Sequence, residues 1–222
     1  MAVNLPRQTD SALRLAEANR PDKQNFAVCG WAKLNTVSGA LTNLFDYHQL
    51  WPSFQWNGFI TRSDGTTMTY WSEGNNYDIT TITAGEWFWF AMRCNATTTD
   101  IRFWTRSGGM FTGNKENWLA AGQEGWFDFG DNEYNEPWDG PICSVKIFTA
   151  SITLDELLLE QWSQRPLAIG KLHAWYPMLN TNTANAIKDY SGNGRNLTLS
   201  GATEPTAVVD SPPVSWGPKT TY

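Results

Sequence analysis

Positive charge is scarce in this sequence, and so are histidine and cysteine. The 222 residues carry 16 lysines and arginines against 22 acidic residues, a formal net charge of −6. No basic cluster interrupts that balance, so nucleic acid and anionic membrane surfaces are not expected partners. The two histidines, His48 and His173, share no ligand spacing, which argues against a His-based metal centre. The three cysteines, Cys29, Cys94 and Cys143, lack any Cys-x-x-Cys pairing, and each falls in a strand-like run. Buried free thiols are the favoured reading; one disulfide with a cysteine left over is the alternative. No apolar run approaches the roughly 20 residues of a membrane helix. Met1 to Arg7 has no signal-peptide core, so the chain is expected to be made in a reducing compartment. A Gly-x-Ser-x-Gly elbow is missing. Gly192-Asn193-Gly194 lacks the third glycine and the following helix of a phosphate cradle, and reads as a tight turn. Repeats and low-complexity tracts are absent as well.

Tryptophan is plentiful instead, with 13 residues against 11 phenylalanines and 7 tyrosines. Large aromatics favour strands and fill sandwich cores, and they also form the flat platforms on which sugars stack. Phe26 to Leu34 is a nearly continuous apolar run, expected to be a strand buried on both faces. Glu86 to Arg93 is the strongest strand signal, with a hairpin loop at Asn95 to Asp100 and a return through Ile101 to Thr105. Ile142 to Phe148 closes the series. One helix is expected: Thr153 and Glu156 form a capping box, Leu154, Leu157, Leu158 and Trp162 make an apolar stripe, and Pro166 ends it. Short strands with one short helix indicate an all-β antiparallel sandwich or barrel. Residues 1–202 are expected to form one domain. Pro205, Pro212, Pro213 and Pro218 mark residues 203–222 as an extended tail laid on the surface or on a partner. Trp31, Trp87, Trp89, Trp104 and Trp162 are expected in the core.

Three segments carry a family likeness. Phe26 to Ala32 and Trp87-Phe88-Trp89-Phe90-Ala91 are similar to two strands of the laminin-G-like jelly roll, a member of the concanavalin A-like lectin and glucanase superfamily. Trp138-Asp139-Gly140-Pro141-Ile142, the strand to Phe148 and the Leu-rich helix are similar to its closing signature. The resemblance spans about residues 11–202 and implies an antiparallel jelly-roll β-sandwich. One piece is displaced. Trp175-Tyr176-Pro177-Met178 and Asp189 to Gly194 resemble elements that normally open the domain, yet here they follow the helix. Ala12-Leu13-Arg14-Leu15 is similar to the strand that normally comes next. The order therefore resembles a circular permutation, or a first strand supplied at the end, which the proximity of sandwich termini makes physically easy. Helix propensity at residues 11–18 opposes this; the family order favours a strand there, and a strand is expected.

Glucanases of this superfamily place paired carboxylates on one strand, as glycoside hydrolysis requires. The nearest candidate is Asp131-Asn132-Glu133, but Gly130 and Pro137 give it the context of a turn. These read as solvated loop acids, and no catalytic residue is assigned. Asp155, Glu156 and Glu160 read as the helix start and its exposed side. The resemblance also implies bound calcium, with Asp139 and Asp189 as candidate ligands and the Ser191 to Gly194 backbone nearby. The family's acidic pair is replaced by Cys143 and Ser144, which weakens such a site. Trp51, Trp56, Trp118, Trp126, Tyr134 and Trp138 lie in or beside loop-like stretches and are the candidate glycan or partner contacts. The expected function is a non-catalytic binding or structural module on the surface of a virus or phage, as capsid decoration or appendage. It would assemble in the host cytoplasm with other virion subunits or copies of itself and bind host glycans. A secreted, stand-alone lectin is the alternative.

Overall fold

Side chains alternating with period two produce fifteen strands among the described residues. A computed structural model describes residues 2–5, 12–49, 55–72, 75–117, 125–131, 136–149, 152–178, 187–200, 206–208 and 210–214. The strands begin with β1 (Ala2–Leu5), β2 (Ala12–Leu15), β3 (Phe26–Lys33), β4 (Thr42–Gln49) and β5 (Gln55–Thr61). They continue with β6 (Thr67–Ser72), β7 (Asn75–Thr81), β8 (Trp87–Cys94), β9 (Thr98–Thr105) and β10 (Gly109–Glu116). The last five are β11 (Trp126–Phe129), β12 (Gly140–Thr149), β13 (Leu172–Tyr176), β14 (Leu197–Ser200) and β15 (Thr206–Val208). Sheet A runs β10-β9-β8-β3-β12-β1-β15 with β13 also on β12, and sheet B runs β14-β2-β11-β4-β5-β6-β7. Both are antiparallel and form a jelly-roll sandwich. The single α-helix among the described residues is α1 (Leu154–Leu159). No helix among them is long and apolar enough to cross a membrane.

Aromatic rings join the two layers. Phe26 of β3 meets Tyr47 of β4 at 5.4 Å and Phe127 of β11 at 5.7 Å between centroids. Phe59 of β5 meets Phe90 of β8 and Phe103 of β9 at 6.0 and 6.1 Å. Edge-on ring pairs of this kind add about 0.5–1.5 kcal/mol each beyond the area they bury. Cys29, Cys94 and Cys143 are free and buried in these layers.

Strand β12 is shared unusually. Its Gly140–Ile142 stretch pairs with β1 and its Val145–Phe148 stretch with β13. Between them Ser144 takes φ 53°, a left-handed conformation uncommon outside glycine. Its hydroxyl donates to the Gln164 carbonyl at 2.6 Å, which helps hold the irregularity. At Gly140 an added Cβ would lie 1.9 Å from the Lys33 carbonyl oxygen, so only glycine fits. Residues 12–15 form the expected strand because β11 and β14 pair with it on either side and Leu13 and Leu15 enter the core. Tertiary pairing there outweighs helix propensity. β15 pairs with β1, so the chain beyond residue 203 contributes a strand to sheet A.

Four expectations are corrected. Trp162 is 64% exposed, because the chain tightens into a 3₁₀ turn over Glu160–Trp162 and the apolar stripe rotates away. That same turn buries Glu160, whose carboxylate meets Lys146 Nζ at 2.7 Å and accepts the Leu167 and Ala168 N–H groups. Trp87 and Trp104 are only half-buried. Asp131 is buried rather than solvated: the Trp138 N–H to Gly130 carbonyl bond and the Asn43–Pro137 bridge fold its loop back against β4. The capping box is present as expected, with Thr153 Oγ1 accepting from the Glu156 N–H at 3.2 Å.

Candidate functional site

On sheet B the residues that do not face the core form an ordered surface. Phe45 and Tyr47 of β4 point inward, so Asp46 and His48 project outward. Phe127 and Phe129 of β11 point inward, which sends Trp126 and Asp128 out beside them. Leu13 and Leu15 do the same for Arg14 on β2, and Phe59 for Trp56 and Gly58 on β5. Register then aligns two rows across the strands. One runs Arg14, Asp128, Asp46, Gly58, Trp71; the next runs Trp126, His48, Trp56.

The second row is a stack. The His48 and Trp56 rings are 4.5 Å apart and 14° from parallel, and Trp126 tilts against the other side of His48 at 5.4 Å. Trp71 extends the aromatic surface, 6.5 Å from Trp56. The Arg14 guanidinium lies 3.7 Å above the Trp126 ring. It also grips Asp128 through Nε at 2.8 Å and a terminal nitrogen at 2.7 Å. His48 Nδ1 lies 2.8 Å from Asp46 Oδ2. Asp46, His48 and Asp128 are buried, whereas Trp56, Trp71, Trp126 and Arg14 keep part of their surface open. Gly58 permits the tight spacing: an added Cβ would sit 2.4 Å from the Phe45 carbonyl oxygen.

Electrostatics follow from burial. Desolvation pushes the Asp128 carboxyl up to about 6, with the Arg14 hydrogen bond opposing and the Asp46 charge reinforcing the rise. Two carboxyls at opposed positions are the inventory of a glycoside hydrolase. Here both are covered, one gripped by Arg14 and the other beside His48, so they underpin the aromatic layer.

No family model matches the chain, and no curated protein matches it by sequence. Solved structures do match. A presumed carbohydrate-binding protein of Bacteroides ovatus ATCC 8483 superposes with a TM-score of 0.62 at 12% identity, over 93% of this chain and 61% of that one. The enzymatically active domain of tailspike protein 2 from bacteriophage CBA120 gives 0.57 at 10% identity, over 74% of this chain and 28% of that one. The likeness is one of fold. This chain spans under two thirds of the length of either.

The jelly roll brings together only part of the expected aromatic set. Trp56 and Trp126 flank His48, on strands rather than on loops. Trp138 is a correction: it is wholly buried and packs edge-on against Phe88 at 5.9 Å, so it offers no surface to a ligand. Trp51, Trp118 and Tyr134 lie outside the described residues. Arg14, Asp46, His48, Trp71 and Asp128 escaped the sequence reading. Their signal was the alternation in Phe45-Asp46-Tyr47-His48 and Trp126-Phe127-Asp128-Phe129, where polar or amphipathic residues interleave with core aromatics.

Calcium does not suit the residues present. Asp189 Oδ1 accepts from the Trp175 and Ser191 N–H groups, and Oδ2 from the Ser191 hydroxyl and the Arg195 N–H. Burial alone would raise this carboxyl, but those hydrogen bonds hold it below its ordinary value. It organises a turn. Asp139 is occupied in the same way, by the Thr36 hydroxyl and the Asn35 amide. Among the described residues no group of three His, Cys, Asp or Glu could hold a metal ion.

Proposed function

We propose that this chain is a non-catalytic carbohydrate-binding module that uses the outer face of sheet B and is carried on a virus or phage particle. The observation that carries the reading is the Trp126–His48–Trp56 row beside Arg14. Partly open indoles give the C–H face of a sugar ring an apolar bed, and Arg14 beside them can donate to hydroxyls. Sealed carboxylates support a binding role over hydrolysis, since a catalytic acid must reach the glycosidic oxygen. Fold likeness to a presumed carbohydrate-binding protein and to a tailspike domain supports the ligand class and the particle association by analogy. The positions of β13 on β12 and β14 on β2 support reading the chain as a circularly permuted laminin-G-like domain.

The test is a glycan array followed by titration of the best ligand against Trp56→Ala and Trp126→Ala. Each variant should bind at least about tenfold more weakly while keeping its fold. Unchanged affinity in both would refute the assignment. Release of reducing sugar by the native chain, abolished in Asp46→Asn or Asp128→Asn, would make it an enzyme instead. Antibody labelling of purified particles checks the virion placement; glycan binding without labelling would favour the stand-alone lectin.

A further inference from the structure

The opposite side of the sandwich holds a cavity of about 470 Å³, lined by Gly85, Glu86, Trp87, Trp104, Arg106, Ser211 and Pro213. Phe88 and Phe103 stack in the core at 4.8 Å, so the alternate residues Trp87 and Trp104 project outward from sheet A. The C-terminal segment supplies the rest of the lining. That segment is fastened on both sides of the cavity by side chains. Asp210 accepts from the Trp87 indole N–H at 3.2 Å and from the Lys33 ammonium. Beyond it Pro212 is buried, and the Val214 carbonyl accepts from the Gln164 amide at 3.0 Å. Ser211 and Pro213 thus stand in place between two anchors.

The chemistry of the lining narrows the ligand. Trp87 has committed its one polar atom to Asp210, which leaves carbon surface for contact. Trp104 is braced edge-on by Trp31 at 5.7 Å. Among the described residues, the Glu86 and Arg106 side chains have no hydrogen-bond or ion-pair partner. The cavity therefore combines two indoles and a proline ring with one carboxylate, one guanidinium and one hydroxyl. An anionic ligand would meet Glu86 as well as Arg106. A purely apolar ligand would strip water from both charges and return nothing. A neutral polyol ring satisfies all of them, with C–H faces on Trp and Pro and hydroxyls that donate to Glu86 and accept from Arg106. The volume falls in the small-ligand range and suits one or two pyranose rings.

We propose that this cavity is a second saccharide site, for one or two neutral pyranose rings, walled on one side by the chain's own C-terminal segment. It shares a ligand class with the proposed face on sheet B but none of its residues, so either can fail alone.

The experiment uses the full chain labelled with ¹⁵N, with the tryptophan indole N–H signals assigned by Trp→Phe variants. Methyl glycosides of glucose, galactose, mannose and xylose, with lactose and maltose, are titrated to millimolar concentration; glucuronate is the charged contrast. At least one neutral probe should move the Trp87 and Trp104 signals. Arg106 is exposed, so Arg106→Ala should keep the fold, and it should weaken that effect at least about tenfold. Asp210→Ala, which releases the wall, should weaken it too, whereas Trp56→Ala should leave it unchanged. The proposal is overturned if no neutral probe moves either signal, if glucuronate binds there more tightly than every neutral probe, or if Arg106→Ala binds as well as the native chain. Shifts confined to Trp56 and Trp126 would support the sheet B face and sink this one.

Discussion

The imidazole of His48 lies flat against the indole of Trp56, and Asp46 Oδ2 lies 2.8 Å from its Nδ1 nitrogen. The buried ring is thus a spacer that sets Trp56 and Trp126 at their separation. His48→Ala should remove that spacer and leave Asp46 buried without its imidazole. The expected loss is roughly 2–4 kcal/mol in urea unfolding, together with loss of glycan binding on sheet B. A change below about 0.5 kcal/mol would show that the stack contributes nothing to the fold.

Asp128 should impose a pH dependence on stability. Burial raises its folded value to about 6 from the ordinary 3.8. A carboxyl raised in this way adds its full stabilisation below the ordinary value and loses it as pH climbs through the folded one. Asp128→Asn cannot titrate. Between pH 4 and 6.5 the native chain should therefore lose about 1–3 kcal/mol relative to the variant. Urea midpoints across that window measure the difference; a constant gap would mean that Asp128 is ionised throughout.

The buried Lys146–Glu160 pair ties the turn after α1 to sheet A. Lys146 Nζ donates to Glu160 Oε2 at 2.7 Å and to the Glu160 and Ser163 carbonyls at 3.0 and 2.6 Å. Lys146→Met leaves a buried carboxylate without its cation and should cost about 3–5 kcal/mol. A melting temperature lower by roughly 10 °C is expected by calorimetry. Adding Glu160→Gln should recover part of the loss, since the amide oxygen can still accept from Leu167 and Ala168.

The cysteines should be silent until the chain unfolds. Burial pushes the Cys94 thiol up to about 12 and raises Cys29 and Cys143 as well, so little thiolate forms and no reagent reaches it. A chromogenic disulfide reagent should titrate no thiol in the native protein and all three in urea. Prompt reaction of any one in buffer would place it in an open environment.

Gly140→Ala should fail for a local reason. The added methyl would collide with the Lys33 carbonyl, where β3 and β12 come together. Overpacking of this kind costs about 1–3 kcal/mol or more. A melting temperature within a degree of the native value would show that the strands part easily.

Much of the architecture was readable without the structure, for a physical reason. Strand periodicity, the Thr153–Glu156 cap and the aromatic runs at 26–34 and 87–93 are encoded in neighbours along the chain. Segment order supplied the family likeness, and with it the strand at residues 12–15 that local propensity opposes. The loop reading of Trp138 and Asp131 was not recoverable in this way, because their burial depends on the loop folding back to β4 at Asn43 and Pro137. Trp162 and Glu160 exchanged places for a subtler reason: a helix that tightens by a fraction of a residue per turn points different side chains at the sheet.

The sequence by itself determined which residues make strands, where α1 starts, and that tryptophan, at 13 residues, outnumbers both phenylalanine and tyrosine. Only the tertiary structure decided which of those indoles form a surface. Arg14 and Asp128 meet across 114 residues of chain, and His48 joins Trp56 to Trp126 only because β5 and β11 pair with opposite edges of β4. Alternation tells each strand which side chains to turn outward. Register between distant strands, set by the packing of the inward ones, decides which outward side chains become neighbours.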